Sequence, residues 1–363
     1  MTTCASTSLG LRERFLAAMR RESEDWVPKN IHLCPAQMER FRAAYGHSDV
    51  AGQWGLPTRG AELPFRATAA DFSRWHPELP AGARIDAWGI GHVPASDGSH
   101  FERLLHPLAG ERSAAEVAGY PFPEPAGAED VARLAARVAE IHSAGFASAV
   151  AVAPVGGTVF WPAYKLRGME ALLCDMLAEP EAAGALLDAV TGVCEAQARL
   201  AASARPDLLM LADDLGTQRS TYMSPELFRQ WLKPRLARVI AAAREAHPDM
   251  LVHFHSDGQI AGLIPDLVEI GVDILNPVQP ECMDAIEIKR RFGRELSFSG
   301  CIGTQTTLPF GSPEDVRAAV RLACREVGRG GGLWVAPTHL VEPEVPWENV
   351  LAFVEAAGEF GGG

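Results

Sequence analysis

A chain of 363 residues is long enough for one large barrel or two ordinary domains, so length alone leaves the architecture open. With 47% hydrophobic and 22% charged residues it is too apolar and too sparsely charged to be disordered. The formal charge of −13 is spread along the chain rather than gathered in a tail, which argues against nucleic acid or an anionic membrane as the main partner. A small molecule or another protein is the expected partner. Seven cysteines, none in a C-x-x-C pair or another zinc-ribbon spacing, predict no disulfides. No basic segment leads into an apolar cleavable core, and no run of roughly 18 apolar residues is present, so the expected location is the cytosol.

The first predicted element is a helix over residues 8–22, with Ser8 as N-cap and Leu11, Phe15, Ala18 and Met19 at helical spacing. It stops before Asp25-Trp26-Val27-Pro28. From 28 to 130 the chain is rich in Pro, Trp and His and lacks clean periodicity. Its turn signals are Gly55-Leu56-Pro57, Pro94-Ala95-Ser96-Asp97-Gly98 and Pro121-Phe122-Pro123. This region is expected to cap or lid a barrel, and to contribute strands near 29–33 and 85–88. His32, His92 and His100 within it read as surface or packing residues. Trp54, Trp75, Trp88, Phe160, Trp161 and Tyr164 either wall a pocket or belong to the core, the commoner fate of such aromatics.

After residue 130, apolar runs of strand length alternate with longer helical stretches, the βα signature. Strands are predicted over 149–153, 208–212, 250–254, 272–275, 296–299 and 333–336. Helices are predicted over 131–141, 169–177, 180–203, 225–246, 260–270 and 313–327. The six repeats and two upstream strands suit an α/β fold of the (β/α)8 TIM-barrel type, one domain over 1–363. Residues 1–130 form its N-terminal elaboration and first strands, and 131–355 its regular units.

In such barrels chemistry sits where strands end. Here five consecutive strands end in Asp213-Asp214-Leu215-Gly216-Thr217-Gln218, His255-Ser256-Asp257-Gly258, Asn276-Pro277-Val278-Gln279, Gly300-Cys301-Ile302-Gly303-Thr304-Gln305 and Pro337-Thr338-His339. Alternation places His253, His255 and Asp257 on one side if the strand runs that far. His255, Asp257 and His339 would give two nitrogens and one oxygen to a divalent cation. Zinc is the first choice, and Fe(II) and Mn(II) remain open. In the competing reading the two histidines orient substrate or satisfy carbonyls, and Asp257 caps a helix. Asp213 or Asp214 is expected to serve as general base or to hold a cationic group, only one of the two facing the site. Gln218, Asn276, Gln279, Gln305 and His253 are candidate substrate contacts. Cys301 reads as packing. Gly328-Arg329-Gly330-Gly331-Gly332 runs from helix to strand, the wrong order for a phosphate loop.

These rim sequences resemble the uroporphyrinogen-decarboxylase-like superfamily, which holds heme-pathway decarboxylases and zinc methyltransferases serving corrinoid proteins. The likeness runs from about 207 to 355, includes Gly271-Val272-Asp273-Ile274-Leu275-Asn276-Pro277 and Pro346-Trp347-Glu348-Asn349-Val350, and extends to Arg12-Glu13-Arg14-Phe15-Leu16-Ala17-Ala18 near the start. In the methyltransferase branch a His-x-Cys-Gly motif and a later Cys hold zinc. Here Asp257 and His339 stand at those cysteine positions. The resemblance therefore implies a metal site with harder ligands and a changed reaction. The decarboxylase branch binds porphyrinogen carboxylates with an arginine-rich segment, and this chain reads Lys29-Asn30-Ile31-His32-Leu33-Cys34 there. The function implied is a metal-dependent methyltransferase-like enzyme acting on a small polar metabolite, with a corrinoid protein as partner. A metal-dependent lyase or decarboxylase and a non-catalytic partner of a corrinoid protein are the alternatives. A homodimer is the default oligomer.

Overall fold

The computed structural model describes residues 9–66, 70–95, 102–110, 113–152 and 157–362. Ser8, Ser96-Asp97-Gly98, His100 and Ala153 lie outside the described residues. The ten strands among the described residues are β1 (Thr58–Ala61), β2 (Arg84–Ile85), β3 (Gly91–Pro94), β4 (Glu102–Leu105), β5 (Ala147–Ala151), β6 (Leu208–Ala212), β7 (Leu251–His255), β8 (Ile274–Asn276), β9 (Ser297–Ile302) and β10 (Leu333–Pro337).

Seven of them form a parallel sheet in the order β1-β5-β6-β7-β8-β9-β10. All six residues of β9 and all five of β10 are buried, as expected where helices cover a parallel sheet. Beyond β10, Lys29 and Leu33 form parallel bridges to Val335 and Val341, so the 29–33 segment prolongs that margin. The sheet is curled: His32 from this margin, Ala151 of β5 and His253 of β7 line one cavity. A flat sheet would hold them several strand spacings apart.

The amino end of the curl is closed by the helix Leu11–Met19. Phe15, Leu16, Ala18 and Met19 cluster with Trp26 against Ala147, Leu208, Leu251, Ile274 and Trp334, most of them first residues of their strands. Phe15 meets Trp334 edge-on, with ring centroids 5.0 Å apart. Arg12 ties the helix to the sheet through Asp207, at 2.7 Å from Nη2 to Oδ1. Burying a side chain the size of Phe15 or Met19 contributes about 1.5–3 kcal/mol, so the plug is a substantial part of the core. The cavity lies toward the other end.

Helix ends follow local chemistry. Ser312 and Asp315 form a reciprocal capping box before Pro313, and the Ser224 hydroxyl accepts from the Leu227 N–H. The helix predicted over 225–246 is two helices, Pro225–Trp231 and Lys233–Ala246, because Pro234 fits only in the first turn of a new helix. The one predicted over 313–327 ends at Leu322 and continues as a π-type turn, Ala323–Val327. No helix among the described residues is long and apolar enough to cross a membrane.

The strand predicted near 85–88 requires correction. Asp86 Oδ1 accepts from the N–H groups of Trp88 and Ile90, and Gly89 has φ +77°, so these residues make a tight turn between β2 and β3. The turn belongs to a small antiparallel sheet, β2-β3-β4. Buried His92 spans that sheet, bonding Asp86 at 2.9 Å and Glu102 at 2.8 Å. The parallel sheet takes Thr58–Ala61 as its first strand instead.

Candidate functional site

Asp213 and Asp214 follow β6 and, as neighbours on extended chain must, diverge. The Asp213 carboxylate accepts backbone N–H bonds from Thr158, Val159 and Trp161 at 3.1, 2.9 and 2.8 Å, at the start of the helix Phe160–Arg167. It is fully buried, and burial pushes its pKa up to about 6 against the pull of those N–H groups. Asp213 therefore anchors a loop and is the one of the two acids that turns away from the site. The sequence signal it shares with Asp214 carries no information about direction.

Asp214 faces the other way. Its Oδ1 accepts the Asp257 N–H at 3.0 Å and stands 3.6 Å from His255 Nε2, while Asp257 Oδ1 is 3.8 Å from the same nitrogen. One ligand atom from each of Asp214, His255 and Asp257 lies within 4.8 Å of the others. His339 is outside this group, and Asp214 occupies the third place expected for it. The loops after β6 and β7 meet backbone to backbone: a Cβ at Gly258, whose φ is +84°, would lie 2.5 Å from the Thr217 oxygen. That close approach brings Asp257 beside Asp214.

The imidazole of His255 is oriented from behind. Asn276 donates Nδ2–H to the Ser299 carbonyl (3.1 Å) and hydroxyl (3.3 Å), so its Oδ1 is the acceptor facing His255 Nδ1 at 2.5 Å. This network assigns a proton to Nδ1 and turns Nε2 toward the two carboxylates. An oriented imidazole with a hydrogen bond on its far nitrogen is the usual support of a metal ligand. Burial first, and Asp214 next, push the Asp257 carboxyl above its ordinary value, against the opposing pull of His255 and His339.

Two chambers meet here. The deep one, about 250 Å³, is lined by His255, Asn276, Asn30, His32, His253 and Trp334 among others. The outer one, about 600 Å³, carries Asp214, Asp257, Tyr222, Gln218, Gln279, Gln305, Glu342 and Glu344. Thr338, His339 and Leu340 line both. His253 is 3% exposed, its Nδ1 has no hydrogen-bond partner, and burial, with His255 and His32 nearby, lowers its pKa to about 3. Gln279 accepts from the Gly258 N–H at 3.3 Å, and Gln218 from the Cys282 thiol at 3.2 Å, so both amides also stitch loops together.

His32 was legible only in part. The alternation of Asn30 and His32 beside β10 places both on the deep chamber, whereas the sequence marks 29–33 as a strand and His32 only as a surface or packing residue. His32 is exposed at the chamber wall, with its Nε2 3.2 Å from Asn30 Nδ2. Of the two fates open to the aromatics, packing is the one seen: neither chamber is lined by Trp54, Trp75, Trp88, Phe160, Trp161 or Tyr164, and Trp54 packs on Phe41 and Trp347. Trp334 and Tyr222 wall the chambers instead. Cys301 is buried, with its thiol pushed up to about 12, in keeping with packing.

The uroporphyrinogen decarboxylase (URO-D) family model matches residues 112–360, more than half of the chain. The chain belongs to the URO-D family. Within it, this member is 28% identical over 174 residues to the methylcobamide:CoM methyltransferase MtaA of Methanosarcina barkeri, covering 48% of each chain. It is 29% identical over 135 residues to a uroporphyrinogen decarboxylase of Crocosphaera subtropica, covering 37% of this chain and 36% of the relative. Those matches span about half or less of the relatives' lengths. A solved methyltransferase from Methanosarcina mazei superposes with a TM-score of 0.67 at 19% identity, covering 97% of this URO-D member and 99% of that chain, which shows a shared fold.

Proposed function

We propose that this chain is a metal-dependent, methyltransferase-like enzyme that acts on a small metabolite and exchanges the methyl group with a corrinoid on a partner protein. The observation that carries the reading is the orientation of His255, whose Nε2 is turned toward Asp214 and Asp257 by the hydrogen bond at Asn276. Two carboxylates and an imidazole form a hard ligand set that suits Zn(II), Fe(II) or Mn(II), and a divalent cation relieves the repulsion between the paired acids. Held there, such an ion supplies Lewis acidity toward a heteroatom of the bound molecule. The proposed ligands are thus Asp214, His255 and Asp257.

His339, on the wall common to the chambers, is assigned to contact with the bound molecule, and Asn276 and Ser299 fix the imidazole from outside. Gln218, Gln279 and Gln305 would meet whatever enters by the outer chamber. The barrel is proposed to close eightfold, with 29–33 in the eighth position. Relatives named for methyl transfer from a methylcobamide and for decarboxylation support two reactions, and an assay separates them. Metal-loaded protein is offered methylcobalamin with small thiols and amines, and demethylation is followed by the cobalamin spectrum. Metal-dependent demethylation that disappears in His255→Ala is the expected result. Spectral silence with every metal, together with CO2 release from small carboxylic acids, would establish the lyase instead.

A further inference from the structure

We propose that the small metabolite is a cation, a protonated or alkylated amine, and that Glu342 and Glu344 on the wall of the outer chamber select it. The inference rests on the active-site reading above and adds the chemical class of the substrate. At about 600 Å³ the outer chamber lies within the roughly 300–1,000 Å³ of sites for small organic ligands. Apart from Gly216, Gly258 and Leu340, every residue lining it has a polar side chain. Its acids are Asp214, Asp257, Glu342 and Glu344. Among the described residues no Lys or Arg lines it, and His339 alone on that wall is able to carry a positive charge.

A divalent ion on Asp214, His255 and Asp257 would cancel the charge of the two aspartates. Glu342 and Glu344 then remain, so the wall stays negative with the metal or without it. Both glutamates belong to a turn after β10 whose backbone is pinned from below. Gln37, fully buried in the helix Pro35–Tyr45, donates its Nε2 hydrogens to the carbonyls of Glu342 (2.8 Å) and Val345 (2.9 Å), and Arg40 adds a bond to the Val345 carbonyl at 3.1 Å. Val341 and Val345, each 1% exposed, root the turn in the core on either side. A turn held in this way presents its carboxylates with little left to order on binding, and charges of one sign along a cleft concentrate the opposite ion there. Tyr222 adds an aromatic ring to the same lining, placed by the hairpin that follows Asp214, in which the Tyr222 N–H donates to the Leu215 carbonyl at 2.8 Å. A ring face beside carboxylates suits an alkylated ammonium, whose charge is spread over its methyl groups. An anion would meet the same acids as repulsion.

The test uses three probes of nearly one shape and different charge: choline, its uncharged carbon isostere neohexyl alcohol, and the tert-butylacetate anion. Their affinities for the purified full chain are measured by ligand-observed NMR, both as isolated and after metal removal. Choline is expected to bind at least about tenfold more tightly than the anion in both forms, with the alcohol between them, because each carboxylate attracts one ion and repels the other. Glu342→Gln combined with Glu344→Gln should cut that ratio by about threefold or more. Exposed Glu344→Lys alone should move it the same way, which keeps the test open if the double variant does not fold. Equal or tighter binding of the anion to either form of the unmodified chain, no binding of choline, or a ratio unchanged in the folded variants would overturn the proposal. Because the ranking is also read without metal, a failed metal assignment and a failed charge selection give different results.

Discussion

Strand β6 begins after one carboxylate, Asp207, and ends before two others, and the fates of Asp207 and Asp214 separate the two ends of the curled sheet. Burial works against ionised Asp207, yet the Arg12 guanidinium, the Ser148 N–H and His142 together hold its carboxyl below the ordinary range. Every oxygen there is committed to protein, and an apolar plug seals the end. At the opposite end Asp214 accepts one backbone N–H and faces His255 Nε2 and a second carboxylate. The same residue type on the same strand is thus structural where its charge is balanced by the chain. It becomes a functional candidate where the chain gathers acids and leaves the balance to something bound.

Substitutions sharpen that contrast. The largest effect is expected from His255→Ala, which should reduce bound divalent metal from near one equivalent to near none while the fold persists, as read by elemental analysis and circular dichroism. Asp213→Ala should do the reverse. It strands buried N–H groups at the start of the helix Phe160–Arg167 and should cost about 3 kcal/mol in denaturant unfolding, with metal affinity changed far less than by loss of a ligand. Asn276→Ala removes the support behind His255 and should weaken metal binding by about 10–100-fold in a chelator competition.

The smallest of these effects belongs to the sealed end. Arg12→Ala should cost about 2 kcal/mol of stability and leave metal content untouched. Because the folded-state pKa of Asp207 is depressed, its contribution is fully present above the ordinary carboxylate pKa and is lost as pH falls through the lower folded value. The gap between wild type and Arg12→Ala should therefore narrow on acidification, as measured by urea midpoints at stepped pH. A gap that widened in acid would put the stabilisation elsewhere.

The regular part of the fold was legible because its strands are apolar runs buried on both faces, as in Leu208–Ala212 and Leu333–Pro337. Thr58–Ala61 was not: Thr-Arg-Gly-Ala has no apolar run, and only pairing with β5 makes it a strand. At the rim, residue types and strand ends named His255 and Asp257. They could not show that Asp213 turns toward the Thr158–Trp161 amides while Asp214 turns toward His255. Nor could they show that Gly216 and Gly258 let two loops approach closely enough to place Asp214, rather than His339, in the converging set. His32 was hidden for a related reason. Its chamber is made by curling the sheet until the 29–33 margin shares a cavity with β5 and β7, and local sequence does not encode that proximity.

The most direct measurement is the metal content of the purified chain, by elemental analysis, beside that of Asp214→Ala, His255→Ala, Asp257→Ala and His339→Ala. One equivalent of a divalent transition metal in the parent, lost in the first three variants and largely kept in His339→Ala, is the expected outcome. A metal-free parent after reconstitution with Zn(II), Fe(II) and Mn(II), or undiminished metal in the first three variants, would contradict the assignment of this end of the curled sheet as a metal centre.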